Sequence, residues 1–253
     1  MKIEEEQLEN KVFVAKTTRN KCISKTIKEP CVNICHSAFI IGQPNSGKSN
    51  LLNSMLLDKN QYRQCFDEIH LICPESSRDC FGEKSALTLV HKDRTHDLLD
   101  EDTIAKVYRE CKSLKEAGDE EGKNRYSLIV IDDCMSELRN KYTLYWLKRI
   151  MANHRHLHTT IWITSQSYLG IPKALREIVR CVYHFKIHSL KELERVHWEI
   201  LPQYKNKELE ELLQYIFDEK YNFFMIDKYE NMITKNFNRL KITNSSEDIY
   251  QTD

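Results

Sequence analysis

The chain has 253 residues, enough for one α/β domain with extra elements and a proper core. Its 38 basic and 38 acidic residues cancel, so no global field draws it to a polyanion. Nine cysteines, an odd number spread from Cys22 to Cys181, argue against a disulfide framework and for a reduced compartment. The acidic start "MKIEEEQLEN" is unlike a signal peptide, and no apolar run reaches about 18 residues. The expectation is a soluble protein without a membrane span.

The first 35 residues hold a short β-like "KVFVA" and then polar, basic text, with Lys11, Lys16, Arg19, Lys21, Lys25 and Lys28 but no acid from 11 to 28. From Ser37 strands and helices alternate. "SAFIIG" predicts a buried strand, residues 47–57 a helix, "EIHLICP" a strand ended by Pro74, and "ALTLVH" a further strand. Residues 101–117 predict an amphipathic helix, "YSLIVIDD" an apolar strand, and 142–153 a helix. "TTIWITSQ" predicts a strand, 172–179 a short helix, and "RCVYHFKI" the last core strand. Apolar strands separated by helices imply a mainly parallel sheet covered on both faces. Beyond about residue 190 the text turns to helices broken by Pro202, then "YNFFMIDKYENMITK", which predicts a hairpin or edge strand pair. The expected organisation is an N-terminal extension (1–35), a core (36–190), a helical and hairpin appendage (191–243) and a disordered tail (244–253).

The strongest chemical signal lies between the first strand and first helix, in "FIIGQPNSGKSNLL". Gly42, four residues, then Gly47, Lys48 and Ser49 form a phosphate-binding loop, whose fixed positions arise by chance in on the order of one such chain in a hundred. The glycines let successive amides turn inward as an anion nest, and the helix start adds its dipole. Lys48 is the candidate for the β- and γ-phosphates of ATP, and the Ser49 hydroxyl for Mg²⁺. Pro44 has no amide hydrogen and suits a position without phosphate contact. Gln43, Asn45, Ser46 and Asn50 complete the candidate nucleotide contacts.

"LIVIDD" places Asp132 at the C-terminal end of a buried strand, as a second candidate Mg²⁺ ligand. Asp133, expected on the strand's other face, is the candidate for polarising an attacking water. Gln166 ends the next buried strand, where an uncharged amide can report on the γ-phosphate. A strand inserted between the loop strand and the Asp strand marks the additional-strand class of P-loop NTPases, with a RecA-like fold. One further region stands out. From Leu138 to Arg176 there are seven lysines and arginines, three histidines and no acid, as in a surface that meets phosphates or an acidic partner. Within it, "HRHLH" lacks the carboxylate or cysteine partners of a zinc site.

"GQPNSGKS", "LIVIDD", "NHRHLHTTIWITSQS" and "IPKALREIVRCVYHF", in this order and spacing, resemble the HerA/FtsK superfamily. The nearer likeness is to genome-packaging ATPases of large double-stranded DNA viruses, including the poxvirus type, and covers residues 36–190. Asp133 departs from the glutamate common at that position. The resemblance implies a homo-oligomeric ring, pentamer or hexamer, that threads double-stranded DNA into a preformed capsid. It also implies a capsid-vertex or portal-like partner and a location in the host cytoplasm (the viral factory) or the virion. An arginine given to a neighbour's nucleotide is implied as well, with Arg155 and Arg176 as candidates. Two competing readings are a nucleotide-gated assembly ATPase and a small-molecule phosphotransferase. The second would need an arginine-rich lid, and the sensor-glutamine strand counts against it.

Overall fold

The computed structural model describes residues 22, 24–82, 85–88 and 90–242. The "KVFVA" segment, the cations from Lys11 to Lys21 and the tail 244–253 lie outside the described residues. Among the described residues, nine strands form one sheet, in the order β3-β2-β4-β5-β1-β6-β7-β8-β9. In chain order these are β1 (Ser37–Ile41), β2 (Glu68–Ile72), β3 (Thr95–His96), β4 (Ser127–Ile131), β5 (Thr159–Ser165), β6 (Cys181–Phe185), β7 (Phe223–Asp227), β8 (Met232–Lys235) and β9 (Asn238–Arg239). The helices are α1 (Lys48–Leu57), α2 (Glu101–Glu120), α3 (Lys141–Asn153), α4 (Lys173–Arg176), α5 (Leu190–Ile200) and α6 (Asn206–Ile216).

Strands β1 to β6 run parallel, and β5 pairs with both β1 and β4, the inserted-strand arrangement expected from the sequence. Every residue of β1, β4, β5 and β6 is buried, as required of strands covered on both faces. Alternate residues supply two cores. Phe39, Ile41, Ile129, Ile131, Ile161 and Ile163 face α2, α3 and α5. Ala38, Ile40, Leu128, Val130 and Trp162 face α1. Trp162 is fully buried, and its indole N–H donates to His36 Nε2 at 3.2 Å, which satisfies the one polar atom that burial would orphan.

Helix α2 carries Ile104, Val107, Cys111 and Leu114 on its buried stripe and is capped by Asp100, which accepts the Thr103 N–H at 2.8 Å. Asn140 caps α3 in the same way, accepting from Tyr142 and Thr143. No helix among the described residues is long and apolar enough to cross a membrane.

Two expectations change. The strand predicted at "ALTLVH" is a turn over residues 86–88, and the sheet instead gains the two-residue β3. Thr88 donates its hydroxyl back to the Ser85 carbonyl at 2.7 Å, which closes that turn. In the segment expected as an appendage, 191–243, the edge-strand alternative holds: it supplies three antiparallel strands to the same sheet, with β7 registered on β6 from Cys181↔Asp227 to Phe185↔Phe223. Val196, Ile200, Leu209 and Ile216 of α5 and α6 join the same core as Ile41.

Candidate functional site

A cleft of about 980 Å³ opens at the C-terminal edge of the central strands, where the loop after β1 meets the segments after β4, β5 and β6. This edge is where ligands bind in open parallel sheets. The loop is tied down at its start, where Gly42 N–H donates to Ser165 O at 3.0 Å. A Cβ on Gly42 would lie 2.4 Å from Ser46 Oγ and 2.9 Å from Phe185 Cβ, so only glycine fits there. Asn45 (φ 61) and Gly47 (φ 107) both adopt left-handed backbone, which curls the loop before α1 begins. Lys48 Nζ donates to Gly42 O (2.6 Å) and Gln43 O (3.1 Å), lying back over the loop. Ser46 Oγ is buried without a hydrogen-bond partner. Pro44 and Asn45 line the cleft and are exposed, as are Gln43 and Asn50; Ser49 is half-buried on the cleft wall.

Asp132 follows the last residue of β4 and is buried. Thr164, one strand over, donates its hydroxyl to Asp132 Oδ1 at 2.6 Å and accepts the Asp133 N–H at 3.2 Å. The other carboxylate oxygen is faced by the Cys73 thiol at 3.9 Å. Burial pushes the Asp132 carboxyl above its usual range, against the pull of the Thr164 hydrogen bond; Asp133 adds to the rise and Lys48 opposes it. Asp133 is not across the strand from Asp132, as strand alternation predicts. Its φ of 55 ends the strand geometry and turns both carboxylates into one cleft. Ser77 Oγ donates to Asp133 Oδ2 at 2.8 Å and Gln166 Nε2 to Asp133 Oδ1 at 3.3 Å. Gln166 itself is held through its N–H, which contacts Met135 Sδ at 3.2 Å.

The structure thus brings Gly42 to Asn50, Asp132, Asp133 and Gln166 together and leaves the two arginines elsewhere. Arg176 is buried. Its guanidinium donates to Glu199 (2.9 and 3.1 Å) and to Ile171 O (2.7 Å), and it packs over the Tyr168 ring. A buried guanidinium spent on the half-buried Glu199 carboxylate is not on offer to a neighbouring subunit, and freeing it would strand Glu199. Arg155 is exposed but precedes β5, at the opposite end of the strand from Gln166, with its guanidinium 5.8 Å from the Tyr229 ring. The acid-free window is also partly balanced in space, by Glu199 for Arg176 and by Glu177 for Lys173 (3.5 Å). In "HRHLH", His154 Nδ1 lies 2.6 Å from Met151 O and His158 packs on Tyr126.

Sequence reading missed several members of the cleft. Thr164 sits inside an apolar strand two residues before Gln166, and its hydroxyl is the one signal that marks it. Ser77 lies in a 3-10 turn after Pro74 with no motif around it. Phe185, Tyr221, Phe223 and Phe237 form an aromatic end that depends on the pairing of β6 with β7.

No protein-family model matches the chain, and no curated protein matches it. Solved structures do. The genome packaging NTPase B204 from Sulfolobus turreted icosahedral virus 2, in complex with ATP-gammaS, shares 14% identity at a TM-score of 0.57, over 83% of this chain and 98% of that one. B204 from Sulfolobus Turreted Icosahedral Virus, described as a DNA-packaging ATPase, shares 18% at 0.52, over 84% and 100%. ATPases 2 and 3 of EssC from Geobacillus thermodenitrificans share 15% at 0.54, over 81% of this chain and 40% of that one. At these identities the likeness establishes the fold, a mostly parallel P-loop NTPase sheet with helices on both faces.

Proposed function

We propose that this chain is an ATPase whose hydrolysis moves double-stranded DNA, working as a closed homo-oligomeric ring, pentamer or hexamer, that loads a viral genome into a preformed capsid. The observation that carries the ATPase reading is the convergence of Lys48, Ser49, Asp132, Asp133 and Gln166, from three separate segments, on one cleft. The inward-curling loop and Lys48 receive the phosphates, with Lys48 exchanging its loop carbonyls for β- and γ-oxygens. The orphaned Ser46 Oγ inside the loop is a polar group that a phosphate chain would satisfy. Asp133 accepts the proton of the attacking water, and Gln166, already bonded to Asp133, orients that water on the γ-phosphate.

The donor set also fits a magnesium ion. Ser49 offers a hydroxyl, and Asp132 a carboxylate that Thr164 orients and that burial deprives of solvent. Bound there, Mg²⁺ supplies charge neutralisation at the phosphate oxygens.

Translocation draws support from two directions. The described B204 neighbours are packaging enzymes. The exposed face of α3 carries Lys141, Lys148 and Arg149 beside Tyr142 and Tyr145, a basic and aromatic surface suited to nucleic acid. With Arg176 engaged internally, Arg155 is the candidate for an arginine given in trans.

The test is steady-state ATP hydrolysis with and without double-stranded DNA, at low and moderate salt, for wild type and Gln166→Ala. DNA stimulation that Gln166→Ala abolishes is the expected result. Hydrolysis indifferent to DNA under every condition would remove the motor and leave a nucleotide-gated assembly ATPase.

A further inference from the structure

The cleft has two chemically different ends, and the sheet order fixes which is which. The acids and Gln166 follow β4 and β5, on one side of the loop strand β1. Phe185 ends β6, Phe223 starts β7, and Phe237 sits in the turn between β8 and β9, on the other side. Gly47 and Lys48 lie between. A nucleotide whose last phosphate meets Asp133 and Gln166 therefore runs across Gly47 toward β6 and β7, and its base arrives among the rings.

We infer that the C-terminal hairpin is the base platform of this nucleotide site, that Tyr221 is its stacking residue, and that it takes purines without distinguishing adenine from guanine. The inference rests on reading the cleft as a nucleotide site. Tyr221 is 56% exposed, yet its ring edge reaches the loop: Cδ1 lies 3.6 Å from where a Cβ on Gly47 would be. Phe185 Cε1 is 3.4 Å from that same point, so the two rings border the loop together. The backbone of Tyr221 is left-handed (φ 73), a conformation that a bulky aromatic rarely adopts and that points to a functional constraint on where the ring goes. Behind it Phe223 packs on Phe185 at 5.3 Å and on Phe237 at 5.5 Å between centroids, a rigid apolar floor.

Base tolerance follows from where the hairpin's amides are spent. Asn236 Oδ1 accepts the Phe223 N–H at 3.1 Å, and Asn236 Nδ2 donates to Asn222 Oδ1 at 2.8 Å. Asn222 Nδ2 donates to Asp218 Oδ1 at 2.8 Å. All four amide heavy atoms are engaged in building the turn, so the hairpin presents π-faces and not base-edge readers. Stacking accepts any base and favours the larger purine face.

The experiment compares dissociation constants of ATP, GTP, CTP and inorganic tripolyphosphate, each with Mg²⁺, for the full chain and for Tyr221→Ala, Tyr221→Phe and Lys48→Ala. Expected are ATP and GTP within about threefold of each other, CTP weaker, and a loss of about tenfold or more for ATP in Tyr221→Ala that Tyr221→Phe restores. Tripolyphosphate, which has no base, should bind wild type and Tyr221→Ala alike. An equal loss of ATP and tripolyphosphate in Tyr221→Ala would overturn the platform, by showing that the ring acts through the phosphate loop. Unchanged ATP affinity would overturn it as well. A preference above tenfold between ATP and GTP would assign base reading to polar groups on α1, such as Asn50 and Ser54, and overturn the tolerance. Tripolyphosphate binding that survives Lys48→Ala undiminished would instead sink the phosphate-loop reading itself, and the platform with it.

Discussion

The two ends of the cleft are built by opposite means. At the polar end each functional group is held by hydrogen bonds from a neighbouring strand or turn: Thr164 on Asp132, Ser77 and Gln166 on Asp133. At the aromatic end position comes from ring packing and from the antiparallel addition of β7 to β6. Hydrogen bonds fix atoms to the tolerance that proton transfer needs, whereas stacking tolerates movement and contributes affinity. The polar end should therefore control kcat and the aromatic end KM. A substitution that moves the wrong parameter breaks this division.

The largest effect is expected from Asp133→Asn, which keeps the shape and both hydrogen-bond neighbours but removes the proton acceptor. Steady-state kinetics should show kcat for ATP falling by about 10²–10⁴-fold with KM within about twofold. A fall below about fivefold would pass the role of base to another group. Thr164→Val comes next. It strips one hydrogen bond from Asp132 and one from the Asp133 amide, so kcat should fall by about tenfold. The Mg²⁺ concentration for half-maximal rate should rise as well, which a titration at saturating ATP would read. Phe237→Ala, at the other end, should raise KM by about three- to tenfold and leave kcat alone.

The difference between the ends also explains what the sequence could disclose. Asp132, Asp133 and Gln166 each stand directly after a buried apolar strand, so local pattern alone places them on the ligand-binding edge. Lys48 and Ser49 are legible from the glycine spacing of the loop between β1 and α1, and the inserted β5 from an apolar run that fits a buried strand. The aromatic end had no such signal. Phe185 and Phe223 are separated by α5 and α6, and only the β6–β7 register brings them together. "YNFFMIDKYENMITK" reads equally as a hairpin or an edge strand pair, because both share the same alternation, and only the β6–β7 pairing decides for the edge of the main sheet. Arg176 shows the converse failure. Its acid-free surroundings suggested a free cation, and the balancing Glu199 lies on a helix beyond the next strand.

The smallest effect on either end is expected from acidification, which strikes behind the cleft. His36 is fully buried, and burial pushes its pKa down to about 3, with Arg180 and His154 lowering it further against the Asn33 carbonyl. His70, also fully buried, is pushed to about 4 by burial and then by Arg94, His96 and Lys106. Glu68 and Glu110 lie 3.8 and 3.5 Å from its ring and pull the other way, but burial wins. His96 and His154 shift in the same direction by the same cause. These groups are neutral when folded, while an unfolded histidine binds a proton below its usual pKa. Stability is therefore fully present above that value and is lost as pH falls from it toward 4 and 3. At one pH unit below the unfolded value, each of the two deeply shifted histidines costs about 1.4 kcal/mol. Urea unfolding should thus show a midpoint that drops between pH 7.5 and 5.5, while the KM ratio of ATP to GTP stays constant. His36→Gln, whose amide oxygen can still accept the Trp162 indole N–H, should lose part of that pH slope. An unchanged slope in that variant would move the pH dependence to other groups, and a shift in the ATP-to-GTP ratio with pH would show that the aromatic end is not the ungated stacking surface its geometry describes.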